Sequence, residues 1–454
     1  MNCDHMTRRT GDEGPSRREF LAAAAVGMGA GSVLTGAEIK TMDKPALLGG
    51  KKVRTEAFPK WPVFDQNDEQ ALIKVLHSGG WFRGYGPMVN QFEEAYARFM
   101  GARHCVAVNG GTSALIAAMA AAGVEAGDEV ILTPYTFIAC VNAIFMLNAV
   151  PVFVDTDRET FQLDARKVEA AITGRTRAIM PVHLGGNVVD MDTLLDVAAR
   201  HKVAVVEDAC QAHLAEWKGR RVGSLGTAGC FSFQASKNLN AGEGGAIITS
   251  DDRIAERCYS IHTNGRTRNP VGWRNDSQRA ANFRLTEFQA ALLLAQMARV
   301  EEQSKTRERN AQYLSQMLRS IGGLSPAKMY EGCTRNAYHL YMFRYDKEHF
   351  AGLSRAGFQR ALSAEGIPCS TGYGPMNKQE YIVNTLRSPS FEPVVSKERL
   401  ARWQERNQCP ENDRLCEEAV WFTQNMLLGP KSDMEQIAEA IGKIKAHAGE
   451  LANA

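Results

Sequence analysis

Between about residues 65 and 345 the spacing of apolar residues switches repeatedly between short unbroken runs and a three-four helical period. The runs at His104–Val108, Glu129–Leu132, Val150–Val154, Ala178–Val182 and Val203–Val206 predict buried strands, and the stretches between them predict helices. Alternation of this kind builds a mostly parallel sheet sandwiched by helices, an α/β architecture whose ligands bind beyond the carboxyl ends of the strands. Helical spacing predicts helices over about 65–77, 89–99, 114–122, 252–262 and 287–300, then a charged helix over 299–318 leading into a second domain. There the pattern predicts a strand over 338–345, helices over 353–365 and 433–447, and an irregular excursion over 388–399. The chain has 454 residues, too many for one core, and divides into an arm over 38–60, a large domain over 61–300 and a small C-terminal α+β domain over 301–454.

The loops after the strands carry the candidate chemistry. Asn109-Gly110-Gly111-Thr112-Ser113 joins a strand to an Ala-rich helix, and such a turn presents free N–H groups to a phosphate. A simple N-cap would use Thr112 or Ser113 as well. Asp208 follows Val203-Ala204-Val205-Val206-Glu207, and a carboxylate at the end of a buried strand needs a partner. A protonated pyridine nitrogen, an internal salt bridge or a helix N-cap role would each supply one. Lys237 stands between two strand-like flanks, Cys230-Phe231-Ser232-Phe233 and Gly244-Gly245-Ala246-Ile247-Ile248, on a hairpin-like connection near the core. A neutral amine there can attack a carbonyl. The turn Ser78–Pro87 gathers Trp81, Phe82, Arg83 and Tyr85, and suits an active-site wall and surface packing equally.

Composition alters this picture at the ends and little elsewhere. With 44% hydrophobic and 23% charged residues, a net charge of +2 and no dense basic block, the chain is an ordinary globular one without a nucleic-acid partner. Ser16-Arg17-Arg18-Glu19-Phe20-Leu21 runs into a weakly apolar Ala/Gly stretch that ends in small residues, the order of a twin-arginine signal over 1–37. Export, to a periplasm for instance, is therefore expected, with no stable membrane insertion once the leader is removed; a cytoplasmic basic leader or an uncleaved tether is the alternative. Of ten cysteines, Cys105, Cys140, Cys210, Cys230 and Cys258 sit in apolar settings, whereas Cys409 and Cys416 lie in a polar one and are expected to form a disulfide. No zinc-type spacing occurs, so no metal is expected.

These residues together resemble the pyridoxal-phosphate-dependent sugar aminotransferases of the DegT/DnrJ/StrS family over roughly 45–445. The likeness rests on Gly111-Thr112-Ser113, Gly127-Asp128-Glu129-Val130-Ile131, Thr136-Phe137, Pro181-Val182-His183, Glu207-Asp208-Ala209, and Ser232 with Lys237 and Gly242-Glu243-Gly244-Gly245. The resemblance implies a fold type I transferase with pyridoxal 5'-phosphate as cofactor. Lys237 would bond to the cofactor aldehyde and move a proton, and Asp208 would keep the pyridine nitrogen protonated. Phe137 would stack on the ring, Gln211 would lie near the phenolic oxygen, and Gly111, Thr112, Ser113 and Ser232 would bind the phosphate. Asn282 would reach in from a neighbouring subunit, which implies a homodimer. Phe231–Gln234, Asn282–Phe288 and Trp61-Pro62 are most similar to the branch that acts on keto-inositols, with glutamate or glutamine as amino donor and a keto sugar or keto cyclitol as acceptor. The chain departs from the family in Leu214, where relatives carry Gly, in Met376-Asn377, where many carry Leu-His, and in its leader. A non-catalytic sensory or binding protein on the same fold is the alternative; a dehydrogenase is excluded, since the Asn109–Ser113 turn lacks Gly-x-Gly-x-x-Gly spacing.

Overall fold

The computed structural model describes residues 43–268 and 279–453; the twin-arginine leader expected over 1–37 lies outside them. Local signals set the start of the first helix and the end of the first two. Helix α1 (Gln66–Ser78) starts on a capping box between Asp65 and Asp68 and stops at Gly79 in the left-handed conformation. Helix α2 (Met88–Met100) buries Val89, Phe92, Tyr96 and Met100 along one face and ends at left-handed Gly101.

The strands follow in turn: β1 (His104–Val108), β2 (Glu129–Leu132), β3 (Val150–Phe153), β4 (Thr176–Ile179), β5 (Ala204–Asp208), β6 (Ala228–Ser232) and β7 (Gly245–Thr249). They form one seven-stranded sheet in the order β1-β7-β6-β5-β4-β2-β3. Strand β7 is antiparallel to both its neighbours, and the pairs from β6 to β3 are all parallel. Strand β4 ends earlier than the apolar run suggests because Pro181 has no N–H to donate; its carbonyl still accepts from Asp208 at 2.8 Å. Helices α3 (Gly111–Ala121), α4 (Ile138–Phe145), α5 (Met191–His201) and α6 (Asp252–His262) cover the sheet, in separate clusters of buried side chains on its two faces.

The two helices expected around residue 300 are one, α7 (Glu287–Ile321), of 35 residues. A capping box between Thr286 and Gln289 starts it, no Gly or Pro interrupts it, and Gly322 closes it. Beyond it β8 (Leu324–Pro326), β9 (Leu340–Tyr345) and the later β10 (Ala419–Thr423) form an antiparallel three-stranded sheet. Helices α8 (Arg355–Ala364) and α12 (Lys431–Ala446) bury their apolar faces in its core.

The segment between them returns to the large core. Helices α9 (Glu380–Leu386), α10 (Lys397–Arg406) and α11 (Pro410–Glu418) bury Ile382, Leu386, Leu400, Trp403 and Leu415 in the cluster that includes α3 and α4. The excursion expected over 388–399 is irregular as far as Ser396, whose hydroxyl then caps α10. Cys409 and Cys416 are buried free thiols. Cys409 is the N-cap of α11 and Cys416 lies two turns along it, about 10 Å of rise, which no disulfide spans. Among the described residues no group of His, Cys, Asp and Glu could hold a metal, and no helix is long and apolar enough to cross a membrane.

Candidate active site

Strand ends and one helix start converge beyond the carboxyl edge of the parallel strands. Strands β5 and β6 run side by side with Cys230 opposite Asp208, and end at Asp208 and Ser232. Facing them is the first turn of α3, whose N-cap Gly110 makes no side-chain cap. Neither Thr112, which is exposed, nor Ser113, which is half-buried, serves as that cap, so the first-turn N–H groups and the positive helix end are left for another acceptor. Gly111 is required here by close approach. A Cβ on it would lie 2.8 Å from both Cys210 Sγ and Ser232 Cβ.

Asp208 is buried, and its two oxygens are met by neutral donors. Oδ2 accepts the Cys140 thiol at 2.9 Å and Oδ1 accepts the Cys210 N–H at 3.1 Å. No lysine or arginine among the described residues forms an ion pair with it, and it caps no helix, so two of the three roles open from sequence are not realised. Gln211, also buried, accepts the Gly185 N–H at 2.7 Å and donates to the Tyr373 hydroxyl at 3.2 Å. The Tyr373 ring lies 6.3 Å from that of Phe137, which precedes α4 and is 54% exposed. Tyr373 also lines a cleft of about 310 Å³ with Arg355, Thr371, Lys378 and Asp413. Neither Lys237 nor Asp208 lines that cleft, which adjoins their cluster through Tyr373 and Gln211.

Lys237 is half-buried on the connection between β6 and β7, where the hairpin expected from sequence forms. Phe233 N–H donates to Gly244 O at 2.8 Å, and Ala235 N–H to Gly242 O at 2.9 Å. Gly245 permits the closure, since a Cβ there would meet the Gly110 carbonyl carbon at 2.5 Å. Trp61 braces the loop through its indole N–H on Ala235 O at 3.0 Å. Two histidines stand close enough to feel the lysine's charge. Burial pushes His213 down to about 3 and His339 well below its usual value, and the nearby positive charge of Lys237 adds to both effects. Both rings are therefore neutral at pH 7. Lys237 also acts on Cys140 and Cys210, whose thiols burial pushes up and its charge pulls partly back, so the amine stands in the same neighbourhood as Asp208.

Gly111, Ser232, Asp208, Gln211, Phe137 and Lys237 thus come together, with Thr112 and Ser113 on the facing turn. Asn282 does not join them within the chain. Its backbone bridges Thr263, the neighbouring Phe283 O accepts the Asn109 N–H at 2.7 Å, and its side chain is exposed. Cys140, Tyr373 and His339 are contributors that the motifs did not single out. The spacing of Thr136 and Cys140, four residues apart where a strand gives way to a helix, was the available signal for the first. Of the departures, Leu214 is fully buried with φ of 70°, and Asn377 is engaged with the Asn407 carbonyl at 3.0 Å.

The arrangement offers an amine, a buried acceptor carboxylate, an open aromatic face and a helix start whose first-turn amides have no side-chain cap. Residues 63–441 match the model of the DegT/DnrJ/EryC1/StrS aminotransferase family. The L-glutamine:2-deoxy-scyllo-inosose aminotransferase of Streptoalloteichus tenebrarius is 38% identical over 428 residues, covering 89% of this chain and 98% of that one. The L-glutamine:scyllo-inosose aminotransferase of Streptomyces griseus is 37% identical over 418 residues, covering 88% and 97%. Among solved structures, 3-amino-5-hydroxybenzoic acid synthase superposes with a TM-score of 0.78 at 34% identity, covering 86% of this chain and 99% of that one. DesI, solved in the presence of its TDP-sugar product, superposes with a TM-score of 0.75 at 27% identity, covering 90% and 98%. On fold and sequence similarity, the chain belongs to the DegT/DnrJ/EryC1/StrS aminotransferase family.

Proposed function

We propose that this protein is a pyridoxal-phosphate-dependent transaminase that moves an amino group from glutamine or glutamate to a keto cyclitol of the scyllo-inosose type. The observation that carries the reading is the convergence of Lys237 with an uncapped glycine turn and a buried carboxylate that has no ion-pair partner among the described residues. The residues present fit pyridoxal phosphate. The cradle that a Cβ on Gly111 would fill suits a phosphate group, the open face of Phe137 suits an aromatic ring, and Asp208 retains free lone pairs for a ring N–H. When bound, the cofactor supplies an electrophilic carbon and an electron-withdrawing ring on which amino groups can be exchanged.

The chain's own residues then have distinct tasks. Lys237 Nζ would hold the cofactor and would serve as the base and acid that takes up and returns a proton beside it. Asp208 would keep a proton on the ring nitrogen, and His213 and His339, held neutral, add no competing charge beside the amine. The first-turn amides at Gly111, Thr112 and Ser113 would hold the phosphate together with the Ser232 hydroxyl. Gln211 is fixed by Gly185 and Tyr373 near the expected phenolic oxygen. The curated relatives, named for glutamine and scyllo-inosose substrates, support the substrate pair.

A homodimer is part of this proposal. Trp81, Phe82 and Tyr85 are 51%, 42% and 86% exposed, the Arg284 guanidinium lies over Phe82, and Asn282 is exposed two residues away. A partner seated there would cover the aromatic rings and could receive Asn282 at its own phosphate turn. Export through the leader is proposed on the Arg17-Arg18 motif alone.

The test is an absorbance spectrum of the purified protein with and without pyridoxal phosphate, repeated on Lys237→Ala and followed by glutamate or glutamine. A near-visible band that requires Lys237 and bleaches with an amino donor is expected, after which keto cyclitols are screened as acceptors. No lysine-dependent band at saturating cofactor would overturn the reading in favour of a binding protein.

A further inference from the structure

Asp208 is the residue on which the proposed chemistry leans hardest, yet what fixes its carboxylate is an unusual donor. Cys140 lies in the first turn of α4, is almost fully buried, and places its Sγ 2.9 Å from Asp208 Oδ2. Its own Sγ is 3.0 Å from the Thr136 hydroxyl, which is also fully buried. Since the thiol proton points at the carboxylate, the Thr136 O–H donates into the sulfur. A short chain results, hydroxyl to thiol to carboxylate, with each donor polarising the next.

We infer that Cys140 is a positioning residue that orients Asp208 for its contact with a cofactor ring nitrogen; the inference rests on the role proposed for Asp208. Two fixed donors, one on each oxygen, leave a carboxylate no rotational freedom, and its remaining lone pairs are held in one direction. The choice of sulfur has a consequence. A thiol is a weak donor, so it orients the carboxylate while withdrawing little of its charge, whereas a lysine or arginine at the same place would neutralise the group that must hold a proton on the ring. Burial and the adjacent Asp208 charge both push the Cys140 thiol well up, so it stays a protonated donor across the working pH range. The same burial keeps it from oxidants, which act on exposed thiolates.

The test uses the full-length protein stripped of cofactor, in the wild-type form and as Cys140→Ala, Cys140→Val, Cys140→Ser and Asp208→Asn. Three quantities are read: affinity for pyridoxal phosphate, the ¹⁵N shift of the ring nitrogen in labelled cofactor, and the thermal midpoint of the apo protein. Cys140→Ala and Cys140→Val, which lack a donor, are expected to bind cofactor about tenfold more weakly, with the ring resonance moved toward its unprotonated position. Cys140→Ser, which keeps a donor, is expected to remain within about threefold of wild type with the resonance in place. A merely packing role would instead lower the apo midpoint and leave the ¹⁵N shift alone. Wild-type affinity and shift in both donorless variants would overturn the inference, and so would a serine variant as impaired as the alanine one. Asp208→Asn separates the two readings: if it leaves the ring nitrogen protonated, the role given to Asp208 falls; if it deprotonates the ring and the donorless variants do not, Cys140 alone loses its role.

Discussion

Leu214 holds two opposing effects in one residue, and their balance can be worked out. Its φ of 70° puts a branched side chain in the left-handed region, at a cost of about 1–2 kcal/mol that glycine would not incur. Leu214 is also fully buried, in the cluster that packs the sheet against α2 and α5, and deleting such a side chain costs about 2–5 kcal/mol. Glycine further loosens the unfolded chain, by about 0.4–1 kcal/mol. Burial outweighs strain, so Leu214→Gly is expected to destabilise the protein by about 2–4 kcal/mol although it relieves the backbone. Leu214→Ala loses the same contacts and keeps the strain, so it should be no more stable than the glycine variant, the reverse of the usual order. Urea denaturation of the apo protein, with midpoints converted at a common slope, checks the series. A glycine variant at least as stable as wild type would refute the reasoning and would mean that leucine crowds the turn behind Asp208.

Gly111→Ala inserts a methyl group 2.8 Å from two short side chains that cannot retreat, an overpacking of about 1–3 kcal/mol at the start of α3. Cofactor affinity by fluorescence titration should fall about tenfold or more, and wild-type affinity would sink the cradle argument. Acid lability should follow the buried histidines: burial holds His213 and His262 down to about 3 and His339 well below the usual 6.5. Each binds a proton in the unfolded chain before the folded one, so the stabilisation is complete above pH 6.5 and is lost as pH falls from there toward 3. The slope is about 1.4 kcal/mol per pH unit for each histidine, and His262→Gln should remove one proton from it; urea midpoints between about pH 4 and 7.5 that do not change would refute this.

Legibility of the sequence tracked how local the determining physics is. The strands His104–Val108 and Glu129–Leu132 were readable because unbroken burial on both faces leaves an apolar run of matching length. The early end of β4 depended on one proline, and the continuity of α7 on the absence of any breaker where a change in charge density suggested a join. Within the proposed site, Lys237, Asp208 and the glycine turn stand out in the sequence since strand, turn and residue type are adjacent there. Tyr373 was not, because it reaches Gln211 from 162 residues away, and neither was the thiol on Asp208, 68 residues removed. The helices of 380–406 were obscured because their apolar faces answer to a core built from the first half of the chain.

The unbroken helix α7 also acts as a ruler. At about 1.5 Å per residue its 35 residues span roughly 50 Å. Near one end Gln289 donates to Glu243 O in the lysine loop at 2.8 Å, and Glu287 accepts the amides that open α2. Some twenty residues on, Asn310 donates to Leu427 O and Gly429 O at 2.9 Å, beside the smaller sheet. The separation between the lysine loop and that sheet is therefore metered by helical rise, and their relative angle by helical phase. A single residue added within α7 would turn every anchor downstream by about 100°, whereas the same addition in the turns at 388–396 would be absorbed locally. An added residue is thus expected to be tolerated in the excursion and not in the helix, a constraint set by phase and not by any side chain.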